Sequence, residues 1–311
     1  MPTTTFEPGS PEAKAEQERL AAAARRRSPW TGPVRIATVV LGAGVIGMGT
    51  ISVVTLFATR VSTESLTVTD RITAMRVDVE SGDVVIRDGA PGDPVTLEVR
   101  TTSSLTDARW THSVQQGVLA LEGGCSGGWP IDNCSVDYQV VVPPDVKVDV
   151  TTGAGDATVT GLTGATKVRT GSGDIRLGTI GGDIEARTGS GDLRATQLDS
   201  ARAELRTGSG DLSADFTAQT TQVRARTGSG DIRTSFSVAP PTVELRTGSG
   251  DVGVSLPQDG TSYDVTGHTG SGDRKIDVPT GSAKNRISAT TGSGDVHIGF
   301  DWKVSSRPSN G

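Results

Sequence analysis

Eight aspartates recur at nearly even spacing and are the most conspicuous chemical groups in this 311-residue sequence. Each ends a copy of the motif T-G-(S/A)-G-D, and successive copies are 18 to 22 residues apart. Repeated glycine–aspartate turns bind Ca²⁺ in β-rolls of nine-residue period, but only Asp174, Asp183 and Asp192 keep that spacing here. The pattern therefore favours structural turn aspartates over a calcium site. They are Asp156, Asp174, Asp192, Asp211, Asp231, Asp251, Asp273 and Asp295.

Five arginines form a second column, each five residues before an aspartate: Arg169, Arg187, Arg206, Arg226 and Arg246. Stacked aspartates would repel one another by ~1 kcal/mol per neighbouring pair in water. We expect the arginine column to run beside the aspartates and offset this repulsion, while each aspartate also accepts turn amides. A threonine lies four residues before each aspartate, at a position that the two-residue alternation assigns to the inward face. Its hydroxyl is therefore expected to satisfy backbone groups of the corner.

No catalytic constellation is recognisable. The three histidines, His112, His268 and His297, are scattered, and the sequence holds no nucleophile motif. Arg274 and Lys275 interrupt one repeat. A local bulge or an adjusted end coil explains them more simply than a site of the kind that polysaccharide-cleaving β-helices build. We expect a non-enzymatic protein without a cofactor or a bound metal ion.

Cys125 and Cys134 enclose the loop CSGGWPIDNC. An even number of cysteines in an oxidising compartment favours one structural disulfide that closes this loop, with free thiols as the alternative. A zinc site would need further ligands from the histidines, and their spacing matches no known pattern.

Apolar and polar residues alternate around each aspartate, which is typical of strands with one buried face. Two short strands and two corners per repeat predict an all-β fold, a β-solenoid of stacked two-strand coils of about 18–22 residues. Regular coils are expected over residues 151–303. Residues 60–150 are expected to form irregular N-terminal coils or a cap, in which MRVDVESGDVVIRDG resembles a hairpin around Gly82. Residues 304–311 are expected to be a disordered tail.

One uncharged apolar stretch of 23 residues, Ile36–Ala58, precedes the strands. At ~1.5 Å per residue it would form about 35 Å of helix, enough to cross a ~30 Å hydrocarbon core. This predicts one transmembrane α-helix over residues 34–59 in contact with the lipid bilayer. A cleavable signal peptide fits less well, because its apolar part is usually shorter.

The charges that flank this stretch predict its orientation. Arg25, Arg26, Arg27 and Arg35 precede it, so the positive-inside rule places the N-terminus in the cytoplasm and the following residues outside the cell. Residues 1–33 would then be a cytoplasmic tail, disordered or partly helical. Residues 61–311 hold 23 basic and 32 acidic side chains, which argues against nucleic acid as a partner, because nucleic-acid binding requires a basic surface.

The TGSGD(I/L/V) repeats and the lead-in VDYQVVVPPDVKVDV resemble the bacterial "putative adhesin" family of β-strand-repeat proteins, a domain of unknown function often placed behind a single membrane helix. The resemblance covers about Met75 to Phe300. It implies surface adhesion but defines no binding residues, so none is transferred to this chain.

The leading hypothesis is a membrane-anchored extracytoplasmic β-solenoid that offers a non-enzymatic, adhesin-like binding or scaffolding surface to a cell-wall polymer, a glycan or a surface protein. One alternative is a single-pass envelope sensor that signals through its cytoplasmic tail. Another is a structural polymer in which end coils pair head to tail through their strand edges. An enzyme on the solenoid face is the last alternative.

Overall fold

The computed structural model describes residues 59–104, 106–126 and 134–300. By internal contacts the chain divides into two units, Met1–Phe57 and Ala58–Gly311, and every described residue belongs to the second. Within the described ranges, no helix combines the length and the apolar character needed to cross a membrane. The predicted span Ile36–Ala58 and the predicted tails 1–33 and 304–311 lie outside the described residues.

The described residues form 23 strands in two sheets. In chain order the strands are β1 (Arg60–Val68), β2 (Ala74–Ser81), β3 (Val84–Asp88), β4 (Val95–Ser103), β5 (Asp107–Gln115), β6 (Val118–Ser126), β7 (Ser135–Val142), β8 (Lys147–Ala154), β9 (Ala157–Thr160), β10 (Thr166–Ser172), β11 (Ile175–Gly178), β12 (Ile184–Ser190), β13 (Leu193–Leu198), β14 (Arg202–Ser209), β15 (Leu212–Phe216), β16 (Gln222–Ser229), β17 (Ile232–Phe236), β18 (Thr242–Ser249), β19 (Val252–Leu256), β20 (Tyr263–Ser271), β21 (Arg274–Ile276), β22 (Asn285–Ser293) and β23 (Val296–Phe300). Sheet A has the order β1-β4-β7-β3-β9-β11-β13-β15-β17-β19-β23-β21, and sheet B has the order β20-β22-β18-β16-β14-β12-β10-β8-β2-β6-β5.

Each regular coil contributes one strand to sheet B and the next strand to sheet A, and the T-G-S-G-D motif turns the corner between them. Equivalent residues of neighbouring coils pair in parallel, so that Thr170 pairs with Thr188 and Ile175 pairs with Leu193. The prediction of an all-β, solenoid-like stack of repeats is therefore confirmed.

The hydrophobic core lies between the two sheets and is lined by alternate residues of every coil. In β17, Ile232, Thr234 and Phe236 are buried, whereas the intervening residues are half-exposed. Phe216 and Phe236 of adjacent coils stack, with ring centroids 5.0 Å apart. Most other buried residues are Val, Leu, Ile or Ala, so the narrow space between the sheets is filled with few aromatic side chains.

The second glycine of the corner motif is required by the stacking. At Gly191 the φ angle is +144°, and an added Cβ would collide with the carbonyl oxygen of Gly173 in the neighbouring coil. Only glycine adopts this conformation easily and also permits such a close approach. The recurrence of glycine therefore follows from the distance between coils.

The segment around Gly82 is a corner of the stack, so the hairpin interpretation is wrong. β2 lies in sheet B between β6 and β8, whereas β3 lies in sheet A between β7 and β9. Gly82 has a φ of +142°, as the repeat glycines do, and turns the chain from one sheet to the other. Antiparallel pairs β1–β4, β4–β7 and β5–β6 complete this end of the stack.

The coils at the C-terminal end are not stacked in chain order. β22 and β23 lie between the β18–β19 coil and the β20–β21 coil. The β20–β21 coil therefore ends the stack although it precedes the β22–β23 coil in the sequence. Arg274 is exposed, whereas the other coils bury Ala, Val, Ile or Leu at the equivalent position. The Arg274 side chain occupies the space beside Gly267, where an added Cβ would lie 2.8 Å from its Nε. The position of this coil at the end of the stack explains the interrupted repeat.

Candidate functional site

A ladder of ten aspartates runs along the corner between the sheets. The carboxylate Oδ1 of each of the first nine aspartates accepts a hydrogen bond from the backbone N–H of the aspartate in the next coil, at 2.8–3.0 Å. In spatial order the ladder is Asp137, Asp83, Asp156, Asp174, Asp192, Asp211, Asp231, Asp251, Asp295 and Asp273. The carboxylates therefore bond from coil to coil.

Arginines of sheet A neutralise part of the aspartate ladder. Arg176 lies 2.7 Å from Asp156 and 2.8 Å from Asp174, and Arg233 lies 2.5 Å from Asp231. The hydrogen bond from Arg176, together with that from the backbone N–H of Asp174, lowers the pKa of Asp156. Both arginines lie two residues after an aspartate, on the outer face of sheet A beside the corner.

The arginine column predicted from the sequence lies on the outer face of sheet B and is paired with glutamates. Arg187 Nη2 lies 3.3 Å from Glu185 and 3.0 Å from Glu204, and Arg226 Nη2 lies 2.8 Å from Glu244. Arg169, Arg206 and Arg246 pair likewise with Glu185 (2.8 Å), Glu204 (2.6 Å) and Glu244 (3.1 Å). The expected pairing with the aspartate ladder is not seen among these residues. The reason is that the arginine side chains leave sheet B on the side of the glutamates, which lie two residues earlier in the strands.

Two glutamates of this face, Glu185 and Glu244, are held in the ionised form. Burial raises the pKa of Glu185, but the hydrogen bond from Lys167 and the charges of Lys167, Arg169 and Arg187 bring it below its usual value. The pKa of Glu244 is lowered in the same way by its neighbouring arginines, against the effect of burial. The face is therefore an ordered array of charged groups at neutral pH.

The repeat threonines face the corner from the inside. Thr188 Oγ1 donates to the carbonyl oxygen of Gly173, and Thr207 Oγ1 donates to that of Gly191, both at 2.9 Å. Across the described ranges, His, Cys, Asp and Glu side chains form no group of three that could hold a metal ion. The corner is thus occupied by bonds that hold the stack together.

A groove of about 920 Å³ crosses the outer face of sheet B where its strands begin. It extends over seven strands, from β6 through β2 and β8 to β16, or about 29 Å at the usual ~4.8 Å between strands. Charged side chains dominate its lining, which in strand order includes Ala120, Arg76, Asp149, Lys167, Glu185, Glu204 and Arg224. The arginine column comes two residues later on the same outer face and therefore borders the groove.

Residues 72–300 match the family model described as Toastrack DUF4097. The chain belongs to the DUF4097 Toastrack family. The matched residues contain the aspartate ladder, the arginine column and the groove, so all three lie within the Toastrack domain.

The solved structures that resemble this Toastrack protein include three from Bacteroides and Parabacteroides species. A "putative adhesin" from Bacteroides fragilis is 12% identical, with a TM-score of 0.45, over 77% of this chain and 97% of that one. A "putative adhesin" from Parabacteroides distasonis is 13% identical, with a TM-score of 0.43, over 77% and 97%. A "putative lipid binding protein" from the same species is 13% identical, with a TM-score of 0.40, over 77% and 96%. No curated protein matches the chain.

The resemblance noted from the repeats is confirmed by the family match. Similarity at this level assigns no role to any residue of the Toastrack domain, so the site rests on its own geometry.

A second concave surface surrounds Trp110 in β5, an edge strand of the Toastrack domain. Trp110 stacks on His112 with ring centroids 5.5 Å apart, and clefts of about 430 and 550 Å³ lie beside it. Asp78, Glu80 and Glu122 line the smaller cleft. Sequence reasoning missed this surface because residues 107–115 carry no repeat motif.

The structure joins Cys125 and Cys134 in a disulfide, with Cα atoms 6.1 Å apart. The backbone N–H of Cys125 donates to Glu80 at 3.2 Å, which ties the disulfide to the edge of the smaller cleft.

Two other features were also missed. Asp137 enters the aspartate ladder from a segment without a glycine motif, and no sequence signal indicated it. The glutamate partners of the arginines were recognised only as polar positions, although each lies two residues before an arginine in the same strand.

Proposed function

We propose that this Toastrack protein is membrane-anchored and extracytoplasmic, and that it binds a component of the cell envelope without catalysis. The binding surface is the outer face of sheet B. The observation that carries the proposal is the groove of about 920 Å³, continuous over seven strands and bordered by four arginines in register, Arg169, Arg187, Arg206 and Arg226. A rigid periodic sheet holds its groups at fixed distances, which suits the recognition of an extended ligand.

The anchor is supported by the sequence that precedes the strands. The 23-residue apolar stretch Ile36–Ala58 is long enough to span a bilayer, and the arginines before it favour a cytoplasmic N-terminus. A C-terminal epitope tag on the full chain tests this in intact cells. Protease added outside the cells is expected to remove the tag, whereas a tag that is protected until the cells are lysed would refute the orientation.

Binding is tested with the full chain in mild detergent and isolated envelope fractions. Ala120→Trp with Ala165→Trp fills the groove without changing its charge, and Thr158→Trp with Ser213→Trp places the same two side chains on the outer face of sheet A. The groove variant is expected to lose at least about tenfold in affinity, because a large uncharged side chain blocks the ligand path. Equal affinity for the two variants would contradict the assignment of the groove.

A further inference from the structure

We propose that the ligand of the sheet B face is a linear polyanion, a polymer whose phosphate or carboxylate groups recur along its chain. This inference rests on the proposed function and gives the chemical class of the ligand. The polymer lies across the strands, beside the groove from β10 to β16 and onward to β18, with its anionic groups on Arg169, Arg187, Arg206, Arg226 and Arg246.

The outer face of sheet B from β8 to β18 is positive, although the segment that carries it is acidic. Nine basic and five acidic side chains point outward there, a surplus of four positive charges, whereas residues 61–311 hold 23 basic and 32 acidic side chains. The basic residues are Lys147, Lys167, Arg169, Arg187, Arg202, Arg206, Arg224, Arg226 and Arg246, and the acidic residues are Asp149, Asp183, Glu185, Glu204 and Glu244. Such a face attracts anions, while the rest of the segment repels them.

The arginines retain donors for a ligand. In their hydrogen bonds to Glu204 and Glu244, Arg187 and Arg226 donate through Nη2, and their side chains remain 41% and 40% exposed. Ion pairs exposed to this extent are weak, so an anionic ligand can share or displace the glutamate. The planar guanidinium group also matches the oxygen atoms of a phosphate or a carboxylate in a two-pronged contact.

The spacing of the column favours a polymer over a small anion. Equivalent arginines pair in register from β10 to β18, so the five guanidinium groups extend over about 19 Å at ~4.8 Å per strand. A single small anion reaches one or two of them. A linear polyanion reaches all five. Its affinity rises with each contact because, once one anionic group is bound, the next groups are held close to their arginines at a high effective concentration.

The experiment measures binding of the full chain in mild detergent to labelled long-chain polyphosphate, to polygalacturonate and to neutral dextran. At least one polyanion is expected to bind at least about tenfold more tightly than dextran, and its affinity is expected to fall by about tenfold or more between low and high salt. Pyrophosphate is expected to compete about a hundredfold more weakly than polyphosphate. The preferred polyanion shows whether the natural ligand carries phosphate or carboxylate groups.

Arg187→Gln with Arg206→Gln and Arg226→Gln is expected to lower the affinity for polyanions by about tenfold or more. The control Arg87→Gln with Arg100→Gln and Arg194→Gln removes the same charge from sheet A and is expected to change it by less than about twofold. Thermal unfolding checks that both variants fold. If the Arg187, Arg206 and Arg226 variant does not fold, a variant with lysine at the same three positions keeps the charge. It is expected to bind polyanions more weakly than the native chain, because lysine lacks the planar guanidinium group that makes the two-pronged contact.

The outcomes separate this inference from the proposed function. Polyanion affinity equal to that of dextran, or equal in the two glutamine variants, would overturn the inference. If a neutral envelope glycan binds and the groove-filling variant abolishes that binding, the proposed function stands and only the polyanion chemistry fails. If no envelope fraction binds, both fail.

Discussion

The middle of the stack and its C-terminal end are built from the same repeat but carry different inward residues. In the middle, Ile232 and Val243 are buried between coils on both sides. In the end coil, which among the described residues pairs with a neighbouring coil on one side only, the corresponding strands carry Arg274 and the half-buried Val265. The comparison shows that the motif sets the shape of a coil, while the inward side chains differ with the position of that coil in the stack.

The largest expected effect comes from exchanging these inward residues. Ile232→Arg is expected to lower the free energy of unfolding by about 4 kcal/mol or more, because an unpaired guanidinium group would be buried. Arg274→Ile, at the equivalent position of the end coil, is expected to change it by less than about 1 kcal/mol. Urea unfolding followed by circular dichroism measures both, and similar losses would contradict the coil order at this end.

A smaller effect is expected in the aspartate ladder. Asp192→Ala removes the acceptor for the N–H of Asp211 and is expected to cost about 1–3 kcal/mol of unfolding free energy. Asp273→Ala is expected to cost less than about 0.5 kcal/mol, because no described coil lies beyond Asp273 to donate to its carboxylate. Asp192→Asn keeps an acceptor oxygen and serves as the control, so a loss as large as that of Asp192→Ala would argue against the ladder.

The smallest expected effect is the loss of stability of the middle coils in acid. Arg176 lowers the pKa of Asp156. Burial raises the pKa values of Glu185 and Glu244, but the neighbouring cations outweigh it and lower both. Because these carboxyls have lower pKa values in the folded than in the unfolded protein, their contribution is complete above the unfolded values and is lost as the pH falls through the folded ones. The free energy of unfolding should therefore change little from about pH 7 to pH 5 and decline below about pH 4.

The control for the pH experiment is the double variant Glu185→Gln with Glu244→Gln, which should show a shallower decline. An unchanged decline would mean that the ion pairs of sheet B do not contribute to the acid sensitivity.

The middle coils could be predicted from the sequence because each signal is local. Ile175 and Leu177 flank Arg176, and this alternation is sufficient to assign a strand and its buried face. The N-terminal end was harder to predict. Around Gly82 the sequence also resembles a hairpin, so the strand partners of β2 and β3 could not be predicted from the local sequence. The strand β5 with Trp110 carries no repeat motif, so the clefts beside it could not be predicted either.

By itself, the sequence determined the strands, their buried faces and the glycine corners, because these depend on interactions within a few residues. Only the tertiary structure decided that the aspartate carboxylates bond to the next coil and that the arginine column pairs with Glu185, Glu204 and Glu244. It also decided that the β22–β23 coil, the last in the sequence, lies between the β18–β19 coil and the β20–β21 coil. These features depend on which strands become neighbours, and that choice is made by packing between residues far apart in the chain.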